Sequence, residues 1–344
     1  MIRIAAFLVV AVLAASNVTW AQTSTAKYAG EPFATGVGGR ALAMGGAYAA
    51  LSNDVTAGYW NPAGLMQMEY PEIGLMHEQR FGGLLSYNYG GVAWPFGPKY
   101  SMALTVTRIG VDDIPDTRNA FVDLNGNGKL DDNERVDESK VTMFSSAIWA
   151  AYLSYAIHAF KDISLGVNLK LIRHEIAESG AFGVGFDIGA MYRVTPDLTI
   201  GANVQDITTT LIAWDTGTNE LILPTAKIGA AYHIDAFGGV ITPAVDLDIR
   251  GESRDFASTL SAGPFSVDPR AGLEYQFKDL FAIRGGYSDI GYWTFGAGVH
   301  LPKLYLDYAF GESPLASDFS TDPTHRISIR LQLEEPKFFR KTEF

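Results

Sequence analysis

Along most of its length the chain alternates apolar with polar residues, and the last such stretch, His325–Leu333, is the cleanest. Ile327, Ile329, Leu331 and Leu333 share one face; Arg326, Ser328, Arg330 and Gln332 share the other, because successive strand side chains point to opposite sides. Two arginines are poor material for the core of a soluble sandwich. A transmembrane barrel accepts them, since lipid lies outside and a polar lumen inside. The alternation predicts about fourteen strands, near 72–79, 86–96, 100–110, 143–157, 162–174, 182–193, 198–207, 224–234, 240–250, 269–277, 280–288, 292–301, 303–311 and 325–333.

The connections give a second test. Trp94-Pro95-Phe96-Gly97-Pro98, Phe160-Lys161-Asp162, Thr195-Pro196-Asp197, Ala236-Phe237-Gly238, Lys278-Asp279 and Leu301-Pro302-Lys303 are tight and fall at every second connection. Between them lie most of the long ones, 111–142, 208–223, 251–268 and 312–324. Outer-membrane barrels have this asymmetry, with short periplasmic turns and long outer loops. An even strand number places both ends of the barrel chain on the periplasmic side.

Each strand then has a lumen face and a lipid face. The lumen candidates are Asn168, Lys170, Asp187, Asn203, Gln205, Lys227, Asp246, Asp248, Arg270, Glu274, Arg284, Asp307, Arg326 and Arg330. Lipid candidates include Leu165, Val167 and Leu169, Val184, Phe186 and Ile188, Val245, Leu247 and Ile249, and Phe295 and Val299. A charge on the lipid face costs ~2–4 kcal/mol at mid-depth, so the partition is a strong constraint. The lumen set carries both signs, which lets neighbours pair across strands. Trp94, Phe96 and Tyr100 at one end, and Tyr292 and Trp293 at the other, fit aromatic girdles.

Composition narrows the class further. Charged residues make up 19% of the 344 positions, below the rough quarter of a soluble protein. A formal charge of −12 argues against nucleic acid as a partner, which needs basic patches. Met1–Ala21 reads as a signal peptide: Arg3, the apolar run Ile4–Ala15, and Thr19-Trp20-Ala21 before cleavage. A membrane anchor is the alternative, but the run falls short of the ~20 apolar residues a spanning helix needs. The absence of Cys removes lipid attachment after the leader, disulfides and thiolate chemistry.

Residues 22–70 do not alternate; they are rich in Gly and Ala. Gly39-Arg40-Ala41, then Met44-Gly45-Gly46-Ala47, the Asn53-Asp54 turn and Trp60-Asn61-Pro62-Ala63-Gly64 follow in order. Asn-Pro starts a turn, and Gly64 allows unusual backbone angles. This ordered set resembles the N-terminal plug of the FadL family of outer-membrane barrels, and more closely the PorV/PorQ branch. The resemblance covers Phe33–Met68 by motif and the remainder by strand count and turn pattern. It implies a plug inside a fourteen-stranded barrel, with one of two roles: uptake of hydrophobic small molecules, or service to type IX secretion by binding or tethering exported proteins. A flexible leader is the plainer reading of the same glycines. A dinucleotide fingerprint is excluded, since no strand precedes them and no βαβ unit follows.

The connection 111–142 contains Asp123-Leu124-Asn125-Gly126-Asn127-Gly128-Lys129-Leu130-Asp131-Asp132-Asn133-Glu134, which matches a twelve-residue calcium loop. Asp123, Asn125 and Asn127 supply side-chain oxygens, Lys129 its backbone carbonyl, Asp131 a water-mediated contact and Glu134 two oxygens. The alternative is a solvated Asn/Gly/Asp turn without an ion. No organic cofactor is implied. The histidines, six in all, show no paired metal spacing, and no Gly-x-Ser-x-Gly elbow occurs, so an enzyme is not expected.

The sequence therefore predicts an all-β, outer-membrane barrel from a double-membraned bacterium: signal peptide 1–21, plug 22–70, barrel 71–333 and a C-terminal tail 334–344. A conduit for hydrophobic or small solutes is the leading role, and a secretion accessory the alternative. The partners expected are lipid and either a hydrophobic small molecule or exported proteins.

Overall fold

A computed structural model of the chain describes residues 34–122, 126, 132, 135–252, 258–288, 292–312 and 323–340. Its strands close into a fourteen-stranded antiparallel β-barrel. In chain order they are β1 (Glu72–Arg80), β2 (Leu85–Phe96), β3 (Tyr100–Asp116), β4 (Thr142–Phe160), β5 (Ile163–Ile176), β6 (Ser179–Arg193) and β7 (Leu198–Gln205). There follow β8 (Thr225–Tyr232), β9 (Gly239–Arg250), β10 (Phe265–Phe277), β11 (Phe281–Ser288), β12 (Tyr292–Leu301), β13 (Leu304–Glu312) and β14 (Thr324–Gln332). The seam joins β1 to β14, from Glu72 opposite Gln332 to Gln79 opposite His325. Closure gives each of the fourteen wall strands a partner on both sides.

The two-residue period decides which side chains enter the ring. In β1, Glu72, Gly74, Met76 and Glu78 are buried while Ile73 and Leu75 are exposed. In β14, Arg326 is fully buried beside Ile327, which is 55% exposed. Arginine inside and isoleucine outside is the inverse of a soluble domain. Around the ring Leu104, Leu153, Val167, Phe186, Val245 and Phe295 are likewise exposed, forming the apolar belt a lipid-facing surface requires.

The loop end of the barrel differs from the sequence-based expectation. Strands run further: β3 reaches Asp116 and β10 begins at Phe265. Residues 208–223 are no simple loop. Thr210–Trp214 and Asn219–Ile222 form a hairpin, and Leu211 to Trp214 pair with Val184 to Ala181 on β6. Asp206 and Thr209 have positive φ, so the alternation is broken just where the strand resumes, which is why the pattern alone missed it. At the tip of the β3–β4 connection, Phe121–Val122 pairs with Arg135–Val136. The calcium-type residues Asp123, Asn125, Asn127, Lys129, Asp131 and Glu134 lie outside the described residues, as does the leader 1–21.

Residues 34–68 run inside the ring. They contain the helix Gly39–Ala43, the helical turn Ala57–Trp60 and the 3-10 helix Pro62–Gln67. Asn61 is extended, its side chain accepts a hydrogen bond from the Ala63 amide, and Pro62 opens the helix, a position where proline's missing N–H is harmless. The C-terminal tail folds back over the turn end. The Arg340 amide donates to the Glu69 carbonyl at 2.8 Å, Phe338 packs on Trp94, and Phe339 on Tyr70.

Candidate functional site: the filled lumen

Register brings opposite charges face to face on the lumen wall. Glu78 stands opposite Arg326 across the seam, Lys227 opposite Asp248, Asp246 opposite Arg270, and Glu274 opposite Arg284. Lys227 contacts Asp248 at 2.6 Å, and Arg270 reaches the same carboxylate at 3.0 Å. Arg284 bridges Glu274 at 2.5 Å and Asp307 at 2.7 Å. Lys170 sits between Asp206 and Asp187, the latter at 3.6 Å. Lys170, Asp187, Lys227, Asp246, Asp248, Arg270, Glu274, Arg284, Asp307 and Arg326 are all buried. Charges so deep need partners of opposite sign, because desolvation of an unpaired ion costs several kcal/mol.

The inner segment completes this network. Arg40 grips Glu274 with two parallel bonds of 2.9 and 2.8 Å, the bidentate geometry that favours arginine. Its Nη1 also donates to Asn53 at 2.8 Å. Asp54 receives the Tyr48 hydroxyl at 2.9 Å and lies 3.5 Å from Arg330. Burial alone pushes the Asp54 carboxyl up, but Arg330, Arg40 and Thr56 outweigh it and hold it below the ordinary carboxylate range. Arg330 also bridges Glu72 at 3.3 Å, and Glu72 accepts the Val55 amide at 2.8 Å. The Asp246 carboxylate accepts two successive amides, Tyr48 and Ala49, each at 2.8 Å. Arg326, paired with Glu78, donates to the carbonyls of Gly38 and Thr35.

Gly45 and Gly46 make the sharp turn after the first helix, with φ of 65° and 77°. They touch the wall rather than hang free. A Cβ on Gly286 of β11 would lie 2.1 Å from the Gly45 nitrogen, so both positions must be glycine for the segment to sit this close.

Further along, neutral groups take over. Asn168 donates to the Gly58 carbonyl at 2.9 Å, Asn203 to Trp60 at 2.9 Å, and Ser101 to Leu65 at 2.9 Å. Asn61 donates to Ala49 within the segment and to Ala190 on the wall. Pro62, Ala63 and Gly64 are buried with it. Here Tyr48 and Tyr59 each meet Trp60 edge-on, and Tyr59 meets Tyr152 of β4 in the same way, with centroids 5.3–5.8 Å apart; Tyr87 and Met76 join the same apolar cluster. Edge-to-face rings add attraction beyond their buried area.

Among the described residues, cavities are present at both ends. One, of about 40 Å³ at the loop end, is bounded by Tyr152, Lys170, Gln205, Ile222, Lys227 and Arg250. The other, of about 150 Å³, lies at the turn end beneath Met66 and Arg340.

Sequence reasoning passed over Glu72, Glu78 and Asp206 as lumen residues. The signal for the first two was present, since Glu72, Gly74, Met76 and Glu78 share one phase of β1. Asp206 sits at the positive-φ break, where phase is lost. Arg340 had no periodic signal at all.

A family model described as "Uncharacterised protein family (UPF0164)" matches residues 6–180. No curated protein matches the sequence. Among solved structures, the Ralstonia pickettii toluene transporter TbuX aligns at 14% identity over 86% of this chain and 98% of that one, with a TM-score of 0.56. The P. putida toluene transporter TodX aligns at 11% identity, over 87% and 99%, with a TM-score of 0.58. A Pseudomonas aeruginosa FadL homologue aligns at 12% identity, over 85% and 96%, with a TM-score of 0.56. At these identities the likeness is one of fold: a FadL-type barrel.

Proposed function

The chain belongs to the family described as "Uncharacterised protein family (UPF0164)", and from the barrel's interior we propose an outer-membrane conduit for hydrophobic or small solutes, closed by residues 34–68 as a displaceable plug. The turn end faces the periplasm and the loop end the outside, following the short-turn, long-loop rule. One observation carries the reading. The apolar core of the lumen is completed by the segment's own Tyr48, Tyr59 and Trp60 against Tyr87 and Tyr152 of the wall. Moving the segment aside exposes an aromatic lining between rings of paired charge, which is a surface for small apolar solutes. The fold's neighbours, named as toluene transporters, lend support from the same direction. The protein acts by passage, with no catalytic step.

Deleting residues 33–60 tests the plug. The barrel strands lie outside the deletion, so it should assemble and show large, poorly selective conductance in planar bilayers, while the intact protein stays nearly closed. Equal conductance of both forms overturns the reading. Uptake of toluene into proteoliposomes follows the same order; co-purification with exported proteins and no uptake turns the assignment to a PorV/PorQ-like secretion accessory.

Calcium belongs to the same proposal as a stiffener of the β3–β4 connection. The pairing of Val122 with Arg135 supports it by bringing the two flanks of the twelve-residue motif opposite each other. Protease digestion of whole cells should cut this connection faster with chelator than with calcium, and Glu134→Gln should abolish the difference. Identical cleavage in both conditions removes the ion from the account.

A further inference from the structure

Among the described residues, Arg340 is a buried cation with no carboxylate beside it. Arg40, Arg270, Arg284, Arg326 and Arg330 each meet a carboxylate. Arg340 is 2% exposed, yet among the described residues no carboxylate reaches it. Its Nη1 donates to the Met66 carbonyl at 2.8 Å and its Nη2 to the Ser101 hydroxyl, while its Nε is buried with no partner. Burial with nothing to offset it pulls the guanidinium down to about 10. Such a group is expensive to hold in a folded protein unless something anionic arrives.

The room for it is present. Arg340 borders the 150 Å³ cavity at the turn end, between the last turn of the inner segment, the β4–β5 turn and the end of β6. That volume equals about five water molecules, enough for an oxyanion head. Arg193 and Lys161 stand on its rim, and His158 on its wall. Glu69 and Asp162 also border it, and both are exposed to solvent, so they offset the cations only at the mouth. Met66, Met68 and Met191 form an apolar, deformable flank.

We propose that this cavity is a binding site for a carboxylate or phosphate group carried on a short apolar chain. Arg340 receives the oxyanion through its free Nε, Arg193 closes over it from the rim, and the methionines take the first carbons of the chain. A planar guanidinium suits both oxyanions. The cavity opens where the lumen meets the turn-end rim, so the same chemistry could be delivered by a diffusing amphiphile or by a lipid headgroup. The site is formed in the closed barrel and does not depend on the conduit reading.

Titration of the full-length barrel in an uncharged maltoside detergent, with octyl phosphate, octanoate and inorganic phosphate as probes, decides it. Octyl phosphate and octanoate should bind at one site and inorganic phosphate more weakly. Arg340→Met should lower the affinity at least tenfold, and Arg193→Gln by a few-fold. Arg173→Gln, which breaks an exposed ion pair with Glu175, should change nothing. A lipid source shows instead as one phosphatidylglycerol retained in native mass spectrometry from the wild type and lost from Arg340→Met. If Arg340→Met fails to give a heat-modifiable barrel, Arg193→Gln carries the comparison. Binding unchanged by these substitutions, or neither probe binding nor lipid retention in the wild type, overturns the proposal.

Discussion

The two halves of the inner segment meet the same barrel through different chemistry. Residues 36–54 are held by charge: Arg40 on Glu274, Asp54 beside Arg330, and two amides on Asp246. Residues 55–68 are held mainly by neutral amides, a hydroxyl and apolar packing: Asn168, Asn203, Ser101, and Leu65 and Met66 against Ala103 and Ala156. The second half runs directly into β1, so it cannot travel far. The first half is tied to the wall by contacts that each need one specific partner. Ionic contacts are strong when satisfied and costly when broken, which makes a latch that holds in one position only. Packing tolerates small shifts and makes an anchor.

The largest expected break of this contrast is Glu274→Leu. It leaves Arg40 without its carboxylate and Arg284 with Asp307 alone, a loss of about 3–5 kcal/mol read as an earlier urea midpoint of the heat-modifiable band, together with raised bilayer conductance. Asp246→Ala comes next. It strips the Tyr48 and Ala49 amides of their acceptor, should cost about 2–3 kcal/mol, and should also raise conductance. Asn203→Ala removes a single donor to the Trp60 carbonyl in the anchored half. About 1 kcal/mol is expected, with conductance unchanged. Asn53→Ala, at an exposed position whose side chain accepts from Arg40, should stay within about 0.5 kcal/mol. If Asn203→Ala opens the barrel and Glu274→Leu does not, the latch and the anchor have been assigned to the wrong halves.

Much of the barrel could be read from residue types because burial has only two destinations along a strand. Arg326 and Ile327 are neighbours in the chain and opposites in environment, and the alternation announces it. The same rule fails where the period slips. Asp206 and Thr209 follow the end of β7 with positive φ, and the hairpin beyond them looked like a loop. The candidate site was legible on the wall and opaque in the segment. Asp246 and Glu274 could be assigned inward from β9 and β10, but nothing in the spacing says that Asp246 takes the amides of residues 48 and 49, or Glu274 the guanidinium of residue 40. Those contacts span more than 190 positions, and only the curvature of the closed ring brings them together.

The seam has a consequence for how the molecule is made. β14 is the last strand in the chain, and its Arg326 reaches back 288 residues to the Gly38 carbonyl while its Ser328 takes the Gly39 amide. Those contacts form only once the β1–β14 seam has brought the two regions together. Contacts this remote in sequence are slow to form, since loop-closure entropy is lost before any contact repays it. The final stroke of assembly therefore docks β14 on β1 and seats the start of the inner segment in one event, so an unclosed ring is also an unplugged one. Chains stalled at that stage would present two raw strand edges and an empty lumen together, until the last nine residues of the wall arrive.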